Sequence, residues 1–173
     1  MTRRTKLIGG ALVAAILVGV VAVVAFIQLS GGQSEALPEA ETALVSDESV
    51  AVELEPWITL TPSERARTGF ILYPGARVDP AAYAPSARAI ADQGYLTVIV
   101  PMPFGIAALG ADQADDVMEA FPLVERWVIG GHSLGGAMAV QYTDDNVDRI
   151  DGVALWGAYP SPDDDISDEP LLG

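Results

Sequence analysis

The chain is 173 residues long, with 24 acids against nine cations, one histidine and no cysteine, for a formal net charge of −15. Disulfide and thiol chemistry are excluded, and so acidic a surface disfavours nucleic acid and anionic lipid as partners. The charge is unevenly divided: every acid follows Leu29, where six arginines leave a balance of −18, and the other three cations precede Leu7.

Residues 1–6 carry those cations, Arg3, Arg4 and Lys6. Leu7 to Leu29 follows as 23 uncharged residues in which Gln28 is the only strongly polar side chain. As a helix it reaches about 34 Å, enough for a hydrocarbon core about 30 Å thick. The positive-inside rule keeps the cations in the cytoplasm and places the rest outside, as a single-pass protein of the cell membrane. A cleaved signal peptide is the rival reading. Its apolar region runs about 7–15 residues to a small-x-small site, whereas this run is longer and Ile27-Gln28-Leu29 is a poor cleavage context. Gly10-x-x-x-Ala14 and Ala15-x-x-x-Gly19 have the spacing of helix-dimerising pairs, although such pairs are more often bilayer-compatible filler.

Residues 30–49 are rich in Gly, Glu, Ala and Ser without apolar periodicity, and read as an acidic tether. Residues 50–173 read as a folded domain. Val50, Val52 and Leu54 alternate with Ala51 and Glu53, as in a half-exposed edge strand, and Trp57 to Leu60 reads as its partner. Thr61 to Glu64 is a turn. Three α/β units follow. Gly69 to Tyr73 is a buried strand; Asp79 caps a helix that opens at Pro80 and ends at Gly94, with Pro85 delaying or kinking it. Tyr95 to Val100 is the next strand, and Ala111 to Phe121 a helix stopped by Pro122. Trp127 to Gly130 is a strand, Leu134 to Thr143 a helix, and Ile150 to Tyr159 a further strand thinned by Gly152 and Gly157. Strands alternating with helices predict a mostly parallel sheet with right-handed crossovers, helices on both faces and three αβα layers. Roughly 125 residues after the tether suffice for one core.

The chemistry concentrates at Gly131-His132-Ser133-Leu134-Gly135, between a strand and a helix. Gly-x-Ser-x-Gly in that setting is the sequence form of a nucleophile elbow, a sharp turn that exposes a serine hydroxyl at a helix N-terminus. Such a serine attacks an acyl carbon. Val128 and Ile129 suit a buried parallel strand, and Gly131 and Gly135 flank the serine where a Cβ would clash. Gly136, Ala137 and Ala139 let the helix pack closely on the sheet. The plainer alternative is a Gly-rich turn that binds phosphate at a helix N-terminus. A serine nucleophile also needs a base, and the only histidine is His132, whose side chain is expected to leave the turn in another direction.

Several stretches resemble the α/β-hydrolase superfamily, and within it the bacterial membrane-anchored group called the α/β-hydrolase-5 family. They are Phe70 to Ala76 (Phe-Ile-Leu-Tyr-Pro-Gly-Ala), Asp79-Pro80 through Tyr83-Ala84-Pro85, Val98 to Pro103, Gly130 to Gly136, and Ala154 to Pro160. The similarity spans about residues 50 to 168. It implies that Ser133 is the nucleophile. It also implies an oxyanion hole made by the N–H of Leu134 and a second N–H from the loop Tyr73-Pro74-Gly75-Ala76. Pro74 has none, so Gly75 or Ala76 must donate. The implied substrate is a small molecule or acyl compound: an ester, thioester or amide.

The superfamily orders its triad Ser, then Asp or Glu, then His, on successively later strands. By that pattern the chain reaches Gly173 where the acid-bearing strand begins, so the last strands, the triad acid and its histidine are absent from these residues. Three readings follow. The chain is an incomplete and weakly active copy of a hydrolase; or it is a catalytically inactive, membrane-tethered binding module or non-functional gene fragment; or a partner chain supplies the missing strands. The first best explains a sheet interrupted with a buried-type strand at its edge. No cofactor or metal is called for; Asp163, Asp164, Asp165 and Asp168 read as a solvated acidic loop, with cation binding the lesser alternative.

Overall fold

The computed structural model describes residues 36–160, 164 and 171–172. The predicted span 7–29, with its dimerisation pairs, lies outside the described residues. Among the described residues no helix is long and apolar enough to cross a membrane.

Seven strands form one sheet: β1 (Val50–Glu53), β2 (Ile58–Pro62), β3 (Thr68–Tyr73), β4 (Leu96–Ile99), β5 (Arg126–His132), β6 (Gly152–Trp156) and β7 (Leu171–Leu172), in the order β1-β2-β4-β3-β5-β6-β7. β1 and β2 pair antiparallel, β2 runs antiparallel to β4, and every pairing from β4 onward is parallel. β3 sits between β4 and β5, so the loops that follow these three strands meet at one carboxyl edge.

Both faces of the inner strands are buried, yet the side chains still alternate. Ile71, Val98 and Ile129 point to one face, with Ala114, Val117 and Met118 of α3 (Gln113–Ala120) and Ala139 and Tyr142 of α4 (Leu134–Asp145). Phe70, Leu72 and Ile99 point to the other, against Ala87 and Ala91 of α2 (Ala84–Ala91). This is the three-layer arrangement that parallel strands need to bury both faces. Beyond α2, that second face opens into a groove of about 500 Å³ floored by Phe70, Val128, Ala154 and Trp156.

The α2 region starts as its sequence dictates. The Asp79 carboxylate accepts the Ala81 N–H at 2.9 Å, and Pro80 opens a 3-10 turn through Tyr83. Pro85 has no N–H for the Ala81 carbonyl, which takes the Ala84 N–H instead. The turn therefore stays 3-10 until α2 begins. Gly94, at φ +90°, closes the segment by donating to Ala91 at 2.9 Å.

Three local readings change. The tether reading covers residues that carry a short helix, α1 (Pro38–Ala43), with Ala40 buried. It is held from a distance: the Arg88 guanidinium donates to the carbonyls of Ala43 and Val45 at 3.3 and 2.7 Å and pairs with Asp47. The last long strand ends at Trp156, short of Tyr159, because Gly157 takes φ +57°. The edge of β6 is also not bare, since Leu171 and Leu172 pair in parallel with Val153 and Ala154.

Tyr73, wholly buried at the end of β3, ties the sheet to α3: its hydroxyl donates to the Ala111 carbonyl at 2.7 Å and accepts the Ala114 N–H at 3.0 Å. Tyr142 donates to Asp115 at 2.7 Å. Burial pushes both hydroxyls well above the usual tyrosine range. Raised folded-state values favour the native state fully below about pH 10, where unfolded tyrosines ionise, and that advantage is lost as pH rises further. The urea midpoint is expected to hold level to about pH 9 and to fall above pH 10. A midpoint that rises through that window contradicts the assignment.

Candidate active site

β5 runs through Gly131 and His132 into Ser133, and α4 starts at the next residue. Ser133 itself turns the chain, at φ 52° and ψ −121°. A non-glycine residue holds such angles only when its surroundings over-determine them. Here they do. A Cβ on Gly131 would lie 2.5 Å from the Tyr73 carbonyl oxygen and 2.6 Å from the backbone of Gly135. One on Gly135 would lie 2.2 Å from the Tyr73 oxygen and 2.4 Å from the Pro74 oxygen. One on Gly136 would lie 2.7 Å from the Gly131 oxygen. The obstructing atoms are backbone, joined at Gly136 by the Ala158 Cβ at 2.4 Å, so no rotamer change relieves them.

The turn is pinned on its other side as well. The Ser133 N–H donates to the Trp156 carbonyl at 3.0 Å, and the Ala137 N–H returns to the Ser133 carbonyl at 3.1 Å. The Ser133 side chain is left exposed, and its hydroxyl makes no capping hydrogen bond to the helix that follows. Leu134 is the first residue of α4, so its N–H has no intrahelical acceptor and sits at the positive end of the helix dipole.

The loop after β3 lies against this turn. Tyr73 is in register with Gly131, and Gly75 is buried while Ala76 is exposed. The Gly75 N–H donates to the Tyr83 hydroxyl at 2.9 Å, and that hydroxyl lies 3.0 Å from His132 Nδ1. The Tyr83 ring stacks on Trp156, with centroids 6.5 Å apart and planes 21° from parallel. His132 therefore faces Tyr83 and the loop, as the expected departure from the turn requires. Burial raises the Tyr83 hydroxyl above the usual tyrosine range, opposed by the hydrogen bond from Gly75.

The remaining loops of this edge are also strained. The positive-φ non-glycine residues of the described chain are Arg77, Phe104 and Ser133, and they follow β3, β4 and β5 respectively. Arg77 donates its N–H to the Gly105 carbonyl at 2.8 Å, tying two of these loops together. Phe104 projects into solvent at 81% exposure. The 500 Å³ groove is elsewhere, on the sheet face. Among the described residues no group of three or more metal-ligating side chains is assembled. Asp163, Asp165 and Asp168 lie outside the described residues.

The candidates Ser133, Leu134, Gly75 and Ala76 thus converge on one edge. Tyr83 is the residue that sequence reasoning passed over, although it stands within one of the matched stretches. An exposed hydroxyl at a helix N-terminus stands where the first N–H groups have no intrahelical acceptor and negative charge is favoured. It cannot by itself dispose of the serine proton.

Gly135→Ala is expected to cost about 2–3 kcal/mol, because its methyl meets fixed carbonyls. Gly94→Ala has open space and pays only for its φ, about 1 kcal/mol. Urea denaturation of the two variants side by side checks the difference; equal costs would mean that the turn has slack.

The comparisons with known proteins agree with this architecture. A family model described as the alpha/beta hydrolase family matches residues 69–171. No curated protein matches the sequence. Solved structures do. The Francisella virulence factor BioJ aligns at TM-score 0.52 and 16% identity, covering 70% of this chain and 49% of its own. TT1662 from Thermus thermophilus aligns at 0.50 and 15%, covering 61% and 56%. A metagenome-derived lipolytic enzyme from the work on LipS and LipT aligns at 0.44 and 21%, covering 52% and 41%. At these identities the likeness concerns the fold alone, and the chain spans between 41% and 56% of the length of these three. With the family model matched across more than half of its length, the chain belongs to the alpha/beta hydrolase family.

Proposed function

We propose that Ser133 is the nucleophile of a serine hydrolase acting on an ester, thioester or amide. The observation that carries this reading is the Ser133 turn. An exposed hydroxyl is held at φ 52° between glycines that admit no Cβ, at the N-terminus of α4. The Leu134 N–H and one N–H of the loop 75–76 supply the oxyanion hole. The solved structures bear on this only through the fold.

The same site limits what these 173 residues do unaided. An unassisted hydroxyl is a weak nucleophile at neutral pH. The one histidine is engaged with Tyr83, so no imidazole is left to take the Ser133 proton. That engagement favours a second reading, a membrane-tethered module that binds an acyl compound without turning it over. Residues 7–29 serve as the anchor in both readings, with the domain outside the cell membrane.

Hydrolysis of a p-nitrophenyl ester by the chain is expected to stay below roughly 10³–10⁴ times the rate in water, the residue left when a triad is removed. Ser133→Ala should lower even that. Supplying an acid and a histidine on added downstream strands should raise turnover by orders of magnitude. Fast turnover that survives Ser133→Ala rejects the nucleophile assignment, and an inert extended chain with a well-placed Ser133 favours the binding module. The anchor is checked separately: the full chain should stay with membranes through carbonate extraction, whereas a soluble product starting near Ser30 would show a cleaved signal.

A further inference from the structure

Two N–H groups of the loop after β3 are open to the role of second oxyanion donor, Gly75 and Ala76, and the described contacts distinguish them. Gly75 is buried and already donates to the Tyr83 hydroxyl at 2.9 Å. Ala76 is exposed beside it. A phenolic hydroxyl has a single proton. While its oxygen accepts from Gly75, that proton can be given to His132 Nδ1, 3.0 Å away; with Nδ1 accepting, a neutral imidazole carries its proton on Nε2. The three groups form a chain, Gly75 N–H to Tyr83 O–H to His132 Nδ1, and both ends are backed by structure. His132 is the residue before Ser133. A Cβ on Gly75 would meet Nδ1 at 2.6 Å, so glycine alone permits the approach.

We propose that Tyr83 is a positioning residue of the oxyanion hole. It occupies the Gly75 N–H, fixes the height of the loop above the Ser133 turn through His132, and thereby leaves the Ala76 N–H, paired with that of Leu134, as the donor for the tetrahedral oxygen. This rests on the hydrolase reading and extends it. Tyr83 touches no reacting atom. It acts by holding a backbone segment, and the stacking on Trp156, whose own carbonyl holds the Ser133 N–H, ties both sides of the hole to one aromatic pair.

The single histidine makes the test clean, because one imidazole gives one set of ring signals. In the full chain in detergent, ¹⁵N NMR should show His132 in the Nε2–H tautomer with Nδ1 accepting. Tyr83→Phe should abolish that pattern and speed hydrogen exchange at the Gly75 amide, with Ser133 and α4 amides unchanged. In the unaltered chain, phenylboronic acid bonds its boron to the Ser133 oxygen as the hydroxyl proton leaves to buffer, and the resulting tetrahedral anionic adduct should shift the Ala76 and Leu134 amides and not Gly75. Its affinity should fall about tenfold or more in Tyr83→Phe, while that of benzyl alcohol, an uncharged ligand with no oxyanion, stays the same. A merely structural role would weaken both ligands together. An adduct that shifts Gly75 and spares Ala76, or one whose affinity is untouched in Tyr83→Phe, overturns the proposal. If phenylboronate forms no Ser133-dependent adduct with the unaltered chain, no oxyanion hole stands ready beside Ser133 and the proposal is overturned, while the hydrolase reading is decided separately by turnover of the chain with added downstream strands. The His132 tautomer would still report the Tyr83 contact.

Discussion

The architecture of this edge depends on one close approach of backbone to backbone. The carbonyls of Tyr73 and Pro74 press against the Cα atoms of Gly131 and Gly135, at distances that leave no room for a Cβ. Two elements far apart in sequence, the end of β3 and the turn after β5, can meet there only as bare main chain. Everything proposed for the site inherits that contact. It brings the loop at residues 75–76 beside the start of α4, and it forces Ser133 into a conformation that its own side chain disfavours. The parallel register of Tyr73 with Gly131 sets the height of the approach. The wholly buried Tyr73 ring, with its hydroxyl spent on Ala111 and Ala114, keeps the strand end from retreating.

Around that contact the chain spends its hydrogen bonds on rigidity. Ser133 is bonded through its backbone to Trp156, Gly75 to Tyr83, and Arg77 to Gly105, so three successive loops are tied to neighbours and not left to solvent. Strain at Arg77, Phe104 and Ser133 falls on this edge, while the strands beneath keep regular alternation. For the proposed oxyanion hole, such rigidity would hold the neighbouring main-chain donors in place before charge develops. Among the described residues the Ser133 hydroxyl has no side-chain proton acceptor beside it. The single imidazole of the chain, that of His132, is turned toward Tyr83.

Much of this was legible in the sequence because it is local. Alternation, β-branched runs and the punctuation by Pro80, Gly94 and Pro122 located the strands and helices, and Asp79 caps where its side chain can reach Ala81. The glycines of the turn were readable because a tight strand-to-helix bend has a known steric demand. The missed features are those that depend on partners distant in sequence. Nothing near Pro38 announces a helix; it is held by Arg88, more than 40 residues away. The strand shortened at Trp156 depends on the φ that Gly157 adopts in the fold. The Tyr83 contact with His132 spans 49 positions and leaves no periodic trace, so a tyrosine within a matched stretch carried no visible role.

The central claim is that this contact presents Ser133, and no other serine, to an electrophile beside fixed N–H groups. Mapping the phosphonylated peptide after long exposure to a fluorophosphonate tests it most directly, because slow chemistry still accumulates a covalent record. The account predicts one adduct, on Ser133, out of nine serines in the chain. An adduct spread over exposed serines such as Ser63 and Ser86, or one that favours them over Ser133, would contradict it.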